Sequence, residues 1–170
     1  RDVALLAMKR ILDFPKWDYF LEGGELVIGL QRAPEASIAM SLALGWLGEA
    51  IDEDTQREVK RQIAEKGAPA CFQSLYSMRY PDRVRGWTFD PESEHDFEYD
   101  MSRWPIILNS TNLKVIPIAG LTMACCVLKD EHPQVNRWLD MAVQSARSFA
   151  PMYGSDGSYD EGISYWGYTT

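Results

Sequence analysis

From Val115 to Leu128 the chain carries no charged residue. A helix that is apolar on all sides must be enclosed by other elements, so this stretch dictates that the rest of the fold wraps around it. Pro117 falls within the first turns, where proline is tolerated at the cost of a slightly irregular start. Ala119, Gly120, Ala124 and Cys125 are small and let a second helix approach closely. Just ahead lies the polar cluster Asn109-Ser110-Thr111-Asn112, in which Ser110, Thr111 or Asn112 can cap the helix. The carboxamides of Asn109 and Asn112 either serve as such caps or point into a cleft as donors, and the two roles can be divided between them.

The enclosing elements read as further helices. Leu5, Met8, Ile11 and Leu12 recur at helical spacing in Ala4–Phe14, closed by Pro15. Pro34-Glu35 opens a second helix whose Ile38, Met40, Leu42, Leu44, Trp46, Leu47 and Ile51 make it apolar on most sides and predict deep burial. Asp52 is an N-cap for Glu53–Lys66, with Gly67 at the C-cap position. The charges Arg57, Lys60, Arg61 and Glu65 form a solvated face. A short helix is expected over Pro69–Met78. Another runs over Pro133–Phe149, with Val135, Trp138, Leu139, Ala142, Val143 and Ala146 inward and Pro151 ending it. Trp17 to Gln31 is irregular, with a short β-prone Leu26-Val27-Ile28. Helix follows helix with short connections and no strong strand signal. The pattern predicts an all-α chain of antiparallel hairpins, an α-solenoid or an α/α-toroid, in one domain over 1–170.

Arg79 to Trp104 is long, polar and punctuated by Pro81, Gly86 and Pro91. Its aromatics Trp87, Phe89, Phe97, Tyr99 and Trp104 alternate with acids, which favours an ordered loop and a cleft wall. His95 reads as a surface histidine and His132, before Pro133, as a surface or capping one. A net charge of −8 argues against non-specific nucleic-acid binding, since no excess of cations exists to displace counterions. Cys71, Cys125 and Cys126 lack metal-ligand spacing. Adjacent Cys125 and Cys126 face different sides of a helix, so buried free thiols are expected rather than a disulfide framework, and neither metal nor cofactor is foreseen. No apolar run is long enough to span a bilayer. The sequence starts at Arg1 and stops at Thr170 inside a motif. Both ends therefore read as cut, as in a piece of a longer protein, with any targeting signal removed or never included.

That motif is Met152 to Thr170, with four glycines, four tyrosines, Trp166, Asp156, Asp160 and Glu161. Gly154 and Gly157 can adopt positive φ without steric cost, so Gly-Ser-Asp-Gly is expected to turn sharply. Stacking aromatics beside carboxylates suit a sugar-binding cleft; a tyrosine-rich loop packed on neighbouring helices is the plain alternative. Asn112 begins one helix and the glycine turn follows the next, antiparallel one, which predicts that both lie near the same end of the bundle.

Asn112-Leu-Lys-Val-Ile-Pro-Ile-Ala-Gly-Leu-Thr-Met-Ala resembles the Asn-Trp-x-x-Val-x-x-x-Gly-Leu-x-x-Ala segment of the heparinase II/III-like polysaccharide lyases. Asp156-Gly-Ser-Tyr-Asp-Glu-Gly-Ile-Ser-Tyr-Trp-Gly-Tyr-Thr-Thr is similar to their Asp-Gly-x-Tyr-x-Glu-Gly-x-x-Tyr-Trp-x-Tyr-Gly-Thr. Leu113 stands where that family often has Trp, and Thr169 where Gly is usual. The resemblance runs from about Pro34 to the end. It implies a toroidal catalytic domain, followed in the family by a β-sandwich, and β-elimination on a uronic-acid polysaccharide outside the cytoplasm, periplasmic or secreted. It implies Asn112 as the group binding the uronate carboxyl, with Asn109 as the alternative. Tyr165 is implied as general acid and base, with Tyr168 next. Glu161, Tyr168, Trp166, Tyr159 and Trp104 are the candidate substrate-binding residues. In the family a histidine from later in the chain helps the tyrosine, so the piece alone is expected to be inactive or incomplete. Two other readings stay open: a toroidal glycoside hydrolase using Asp156, Asp160 or Glu161, and a non-catalytic helical-repeat module.

Overall fold

The computed structural model describes residues 2–17, 22–23, 26–27, 30–83 and 104–170. Most of the 79–104 stretch, with His95, Trp87, Phe89, Phe97 and Tyr99, lies outside these residues, as does Ile28. The fold is all-α. Its helices are α1 (Asp2–Leu12), α2 (Arg32–Leu47), α3 (Glu53–Gln62), α4 (Ala68–Arg79), α5 (Trp104–Leu108), α6 (Val115–Leu128), α7 (Val135–Phe149) and α8 (Ile163–Thr169). A two-residue hairpin, Glu22–Gly23 against Leu26–Val27, interrupts the helical order where the sequence is β-prone.

The uncharged stretch is the central helix. α6 packs against α2, α4 and α7, and buries Ile116, Leu121, Ala124, Cys125 and Leu128. Gly120 is the point of closest approach: a Cβ there would stand 2.6 Å from the Cα of Pro34 on α2, inside any real contact distance. Around this seam Met40, Val59, Ile63, Leu75 and Trp138 complete one core.

Four local expectations are corrected. Gly67 does not end a helix. It has right-handed φ and ψ of −84° and −67°, and a π-helical turn, Ile63–Gly67, carries α3 directly into α4. Glycine is needed there for space, since a Cβ would lie 2.1 Å from Ser37 Oγ and 3.1 Å from the buried Trp17 ring. α2 is buried on one face only, through Ala33, Pro34, Ser37, Met40 and Ser41, and its C-terminal turn is open enough that Trp46 is 79% exposed. α7 turns a different stripe inward. Met141, Ser145 and Phe149 are buried with Val135, Trp138 and Ala142, while Leu139, Val143 and Ala146 face out. Both sets have three-four spacing, but the inner one runs on to Phe149 whereas the expected one stops at Ala146. Finally, α5 and α8 are helices that the sequence reading does not contain.

Other expectations match. Asp52 caps α3 by accepting from the Thr55 N–H at 2.8 Å. Cys71 and Cys125 are buried as expected, whereas Cys126 is exposed, against the expectation of burial. The His132 ring stacks on Trp138, and its Nδ1 accepts from the Gln134 N–H at 3.3 Å, a capping role. Among the described residues no helix is long and apolar enough to cross a membrane.

Candidate functional site

The glycine turn forms as a small hairpin. The Gly154 N–H donates to the Ser158 carbonyl at 2.8 Å and Gly157 N–H to the Gly154 carbonyl at 2.9 Å, bringing Tyr153 opposite Tyr159. Asp156 Oδ1 accepts from the Ser158 N–H at 3.0 Å, and hydrogen bonds from Ser158 hold this carboxyl below its usual range. Gly157 is left-handed at φ +82°, as expected; the second left-handed residue of the segment is Gly162 at +89°, not Gly154. Gly162 redirects the chain into α8, which packs against the single 3₁₀ turn Asn112–Lys114.

Glu161 joins the two segments. Its carboxylate accepts from the Asn112 backbone N–H at 2.7 Å, from Asn112 Nδ2 at 3.1 Å to each oxygen, and from the Tyr159 hydroxyl at 2.5 Å. The capping expected of Ser110, Thr111 or Asn112 is thereby corrected. Ser110 and Thr111 hydroxyls donate back to the carbonyls of Ile107 and Leu108, closing α5, and the free N–H of Asn112 is met by a carboxylate 49 residues away. A negative group is favoured there, at the N-terminal end of the 112–128 helical run. Asn112 is buried at 8% exposure. Tyr159 is buried too; burial first, then the bond to Glu161, pushes its phenol well above the usual range. It therefore keeps its proton and acts as a donor. Its ring meets those of Phe149 and Tyr153 at centroid distances of 6.0 and 5.3 Å.

Tyr165 and Trp166 stand on α8 at 48% and 44% exposure. Trp166 Nε1 donates to the Gly157 carbonyl at 2.8 Å, which ties the helix to the hairpin. Beside Trp166 runs an open groove of about 500 Å³ lined by Asp156, Ser158, Tyr159 and Ile163 as well; neither Tyr165 nor Asn112 lines it. Tyr168 lies on α8 and Trp104 is the first residue of α5.

Asn109 belongs to a different group. Its Oδ1 accepts from Lys114 Nζ at 2.8 Å, and the same ammonium donates to Ser148 Oγ at 2.8 Å. Lys114 is only 2% exposed. Burial, then the nearby positive charge of Arg79, lowers its pKa to about 8. This lysine escapes the sequence reading. The one signal for it is its position, a lone charge between a polar cluster and fourteen uncharged residues. The two carboxamides thus divide as foreseen but with unforeseen partners: Asn112 meets Glu161, and Asn109 meets Lys114. Among the described residues no group of three or more His, Cys, Asp or Glu is placed to hold a metal ion.

No protein-family model, no curated protein and no solved structure matches this chain.

Proposed function

We propose that the chain is part of a polysaccharide lyase that cleaves a uronic-acid polymer by β-elimination. The reading takes the helices as a portion of an α/α-toroid and puts the protein in the periplasm or outside the cell. One observation carries it. The two segments that bear the resemblance are joined through Glu161 at 2.7 Å from the Asn112 nitrogen, and Tyr165 stands half-exposed on the helix packed against the Asn112 turn.

The chemistry assigns roles by what each group has left to give. Asn112 Nδ2 is equidistant from both Glu161 oxygens, an arrangement that one N–H can serve, leaving its second N–H for a uronate carboxyl. That bond strengthens as charge builds on the carboxyl when the C5 proton leaves. Tyr159 holds its proton and orients Glu161, so it is not the base. Tyr165, whose hydroxyl has no hydrogen-bond partner among the described residues, takes the C5 proton as the phenolate and, as the phenol so formed, gives it to the glycosidic oxygen as the C4–O bond breaks and the C4–C5 double bond forms; the histidine that the resemblance places later in the chain would help form the phenolate. Glu161 acts as a positioning residue: three donors already occupy it, which counts against its serving as a hydrolytic acid.

Tyr165→Phe should lower turnover of the full-length protein on uronate polymers by about 100-fold or more, read as ultraviolet absorbance of the unsaturated product. Undiminished turnover in this variant overturns the assignment. New reducing ends without ultraviolet absorbance would mean hydrolysis instead.

A further inference from the structure

We propose that the cleft between the C-terminal end of α4, the start of α6 and α7 binds an oxyanion, a carboxylate or a sulfate, through Lys114 and Arg79. The cleft holds about 300 Å³, and none of its lining residues is acidic. That is unusual for a chain with 25 Asp and Glu against 17 Lys and Arg. Local charge opposite to the global sum marks a place where an anion is favoured.

The donors are already in position. An ammonium has three N–H groups. Lys114 gives two of them, to Asn109 Oδ1 and Ser148 Oγ, both neutral acceptors, and among the described residues no carboxylate pairs with it. A buried charge without a counter-charge is expensive and is normally paired. Arg79 Nε donates to the Tyr80 hydroxyl at 3.0 Å, and its terminal nitrogens have no carboxylate among the described residues either. Two cations thus share one cleft, close enough that Arg79 disfavours the charge on Lys114. An oxyanion between them relieves that repulsion and supplies a counter-charge that no carboxylate among the described residues provides. Tyr80 is the other titratable group lining the cleft; Asn109, Ser145 and Ser148 bring no charge from α5 and α7.

The oxyanion site stands on the cleft alone and does not rest on lyase chemistry. It is tested without turnover, by calorimetric titration of the protein with sodium sulfate, sodium glucuronate and glucose at fixed ionic strength. Sulfate or glucuronate should bind and glucose should not; which of the two binds more tightly identifies the oxyanion. Affinity should fall as pH rises past about 8, approaching tenfold per pH unit as the ammonium is lost. Lys114→Met should weaken binding about tenfold or more. Arg79→Gln, at an exposed position that leaves the core untouched, should weaken it several-fold. The proposal is overturned if neither oxyanion binds, or if both variants bind as the wild type does. Activity lost in Tyr165→Phe with anion binding retained would separate this site from the lyase reading.

Discussion

Lys114 shows what burial does to a side chain that a sequence presents as ordinary. Free in an unfolded chain its ammonium holds a proton up to about 10.5; in the fold it lets go at about 8. Between those values the unfolded state binds more protons than the folded one, so raising pH across that window favours folding. Below pH 8 both states are protonated and the fold carries the full cost of a buried charge. Urea denaturation at pH 8 and pH 10 should therefore show wild type gaining stability relative to Lys114→Met, and a constant difference between the two proteins would refute the shift. At this scale the sequence is only partly readable. Asn112, Glu161 and Tyr159 can all be picked out by type, but the contact of Asn112 with the Glu161 carboxylate spans 49 residues, which no local pattern encodes. Lys114 looks like the polar flank of an apolar helix, and only the packing of α7 over it makes it a buried cation.

Helices are readable because period and punctuation are local properties. The stripe of α1, the unbroken apolar run of α6, the Asp52 cap and the small residues of α6 all lie where the sequence puts them. The meaning of individual glycines is not readable in the same way, since the same residue serves a chain ending and a close crossing. Gly67 and Gly120 are crossings. Gly120→Ala should destabilise the protein by about 1–3 kcal/mol, because the added Cβ meets the Pro34 backbone at 2.6 Å and backbone gives way poorly. Gly45 is the contrast: it lies within α2, and a Cβ added there would have nothing within 4 Å. Gly45→Ala should stabilise by about 0.5–1 kcal/mol through helix propensity alone. Chemical denaturation of the two variants checks both signs. α8 escapes the sequence reading because its glycine and aromatics are poor helix formers; left-handed Gly162 and the contact with the Asn112 turn make the helix, not propensity.

Across the whole molecule these facts divide stability into two tiers. α6 is enclosed by α2, α4 and α7, so its amides open only when the bundle does. α8 has seven residues, too few to persist alone in water, and depends on what fastens it. The fastenings are Glu161 on Asn112, the Tyr153–Tyr159–Phe149 ring cluster and Trp166 on the Gly157 carbonyl. Glu161→Gln removes the charge that three donors converge on and sets an amide N–H₂ against donors. Hydrogen exchange should then rise sharply in residues 159–169 while α6 keeps its protection. If protection fell equally in both, the hairpin and α8 would belong to one cooperative unit with the bundle, and Glu161 would be a general stabiliser instead of a local clasp. The distinction bears on function. A helix that can loosen independently carries Tyr165 with it, so in the lyase reading Glu161→Gln should lower turnover by displacing the tyrosine, although its carboxylate touches no reacting atom.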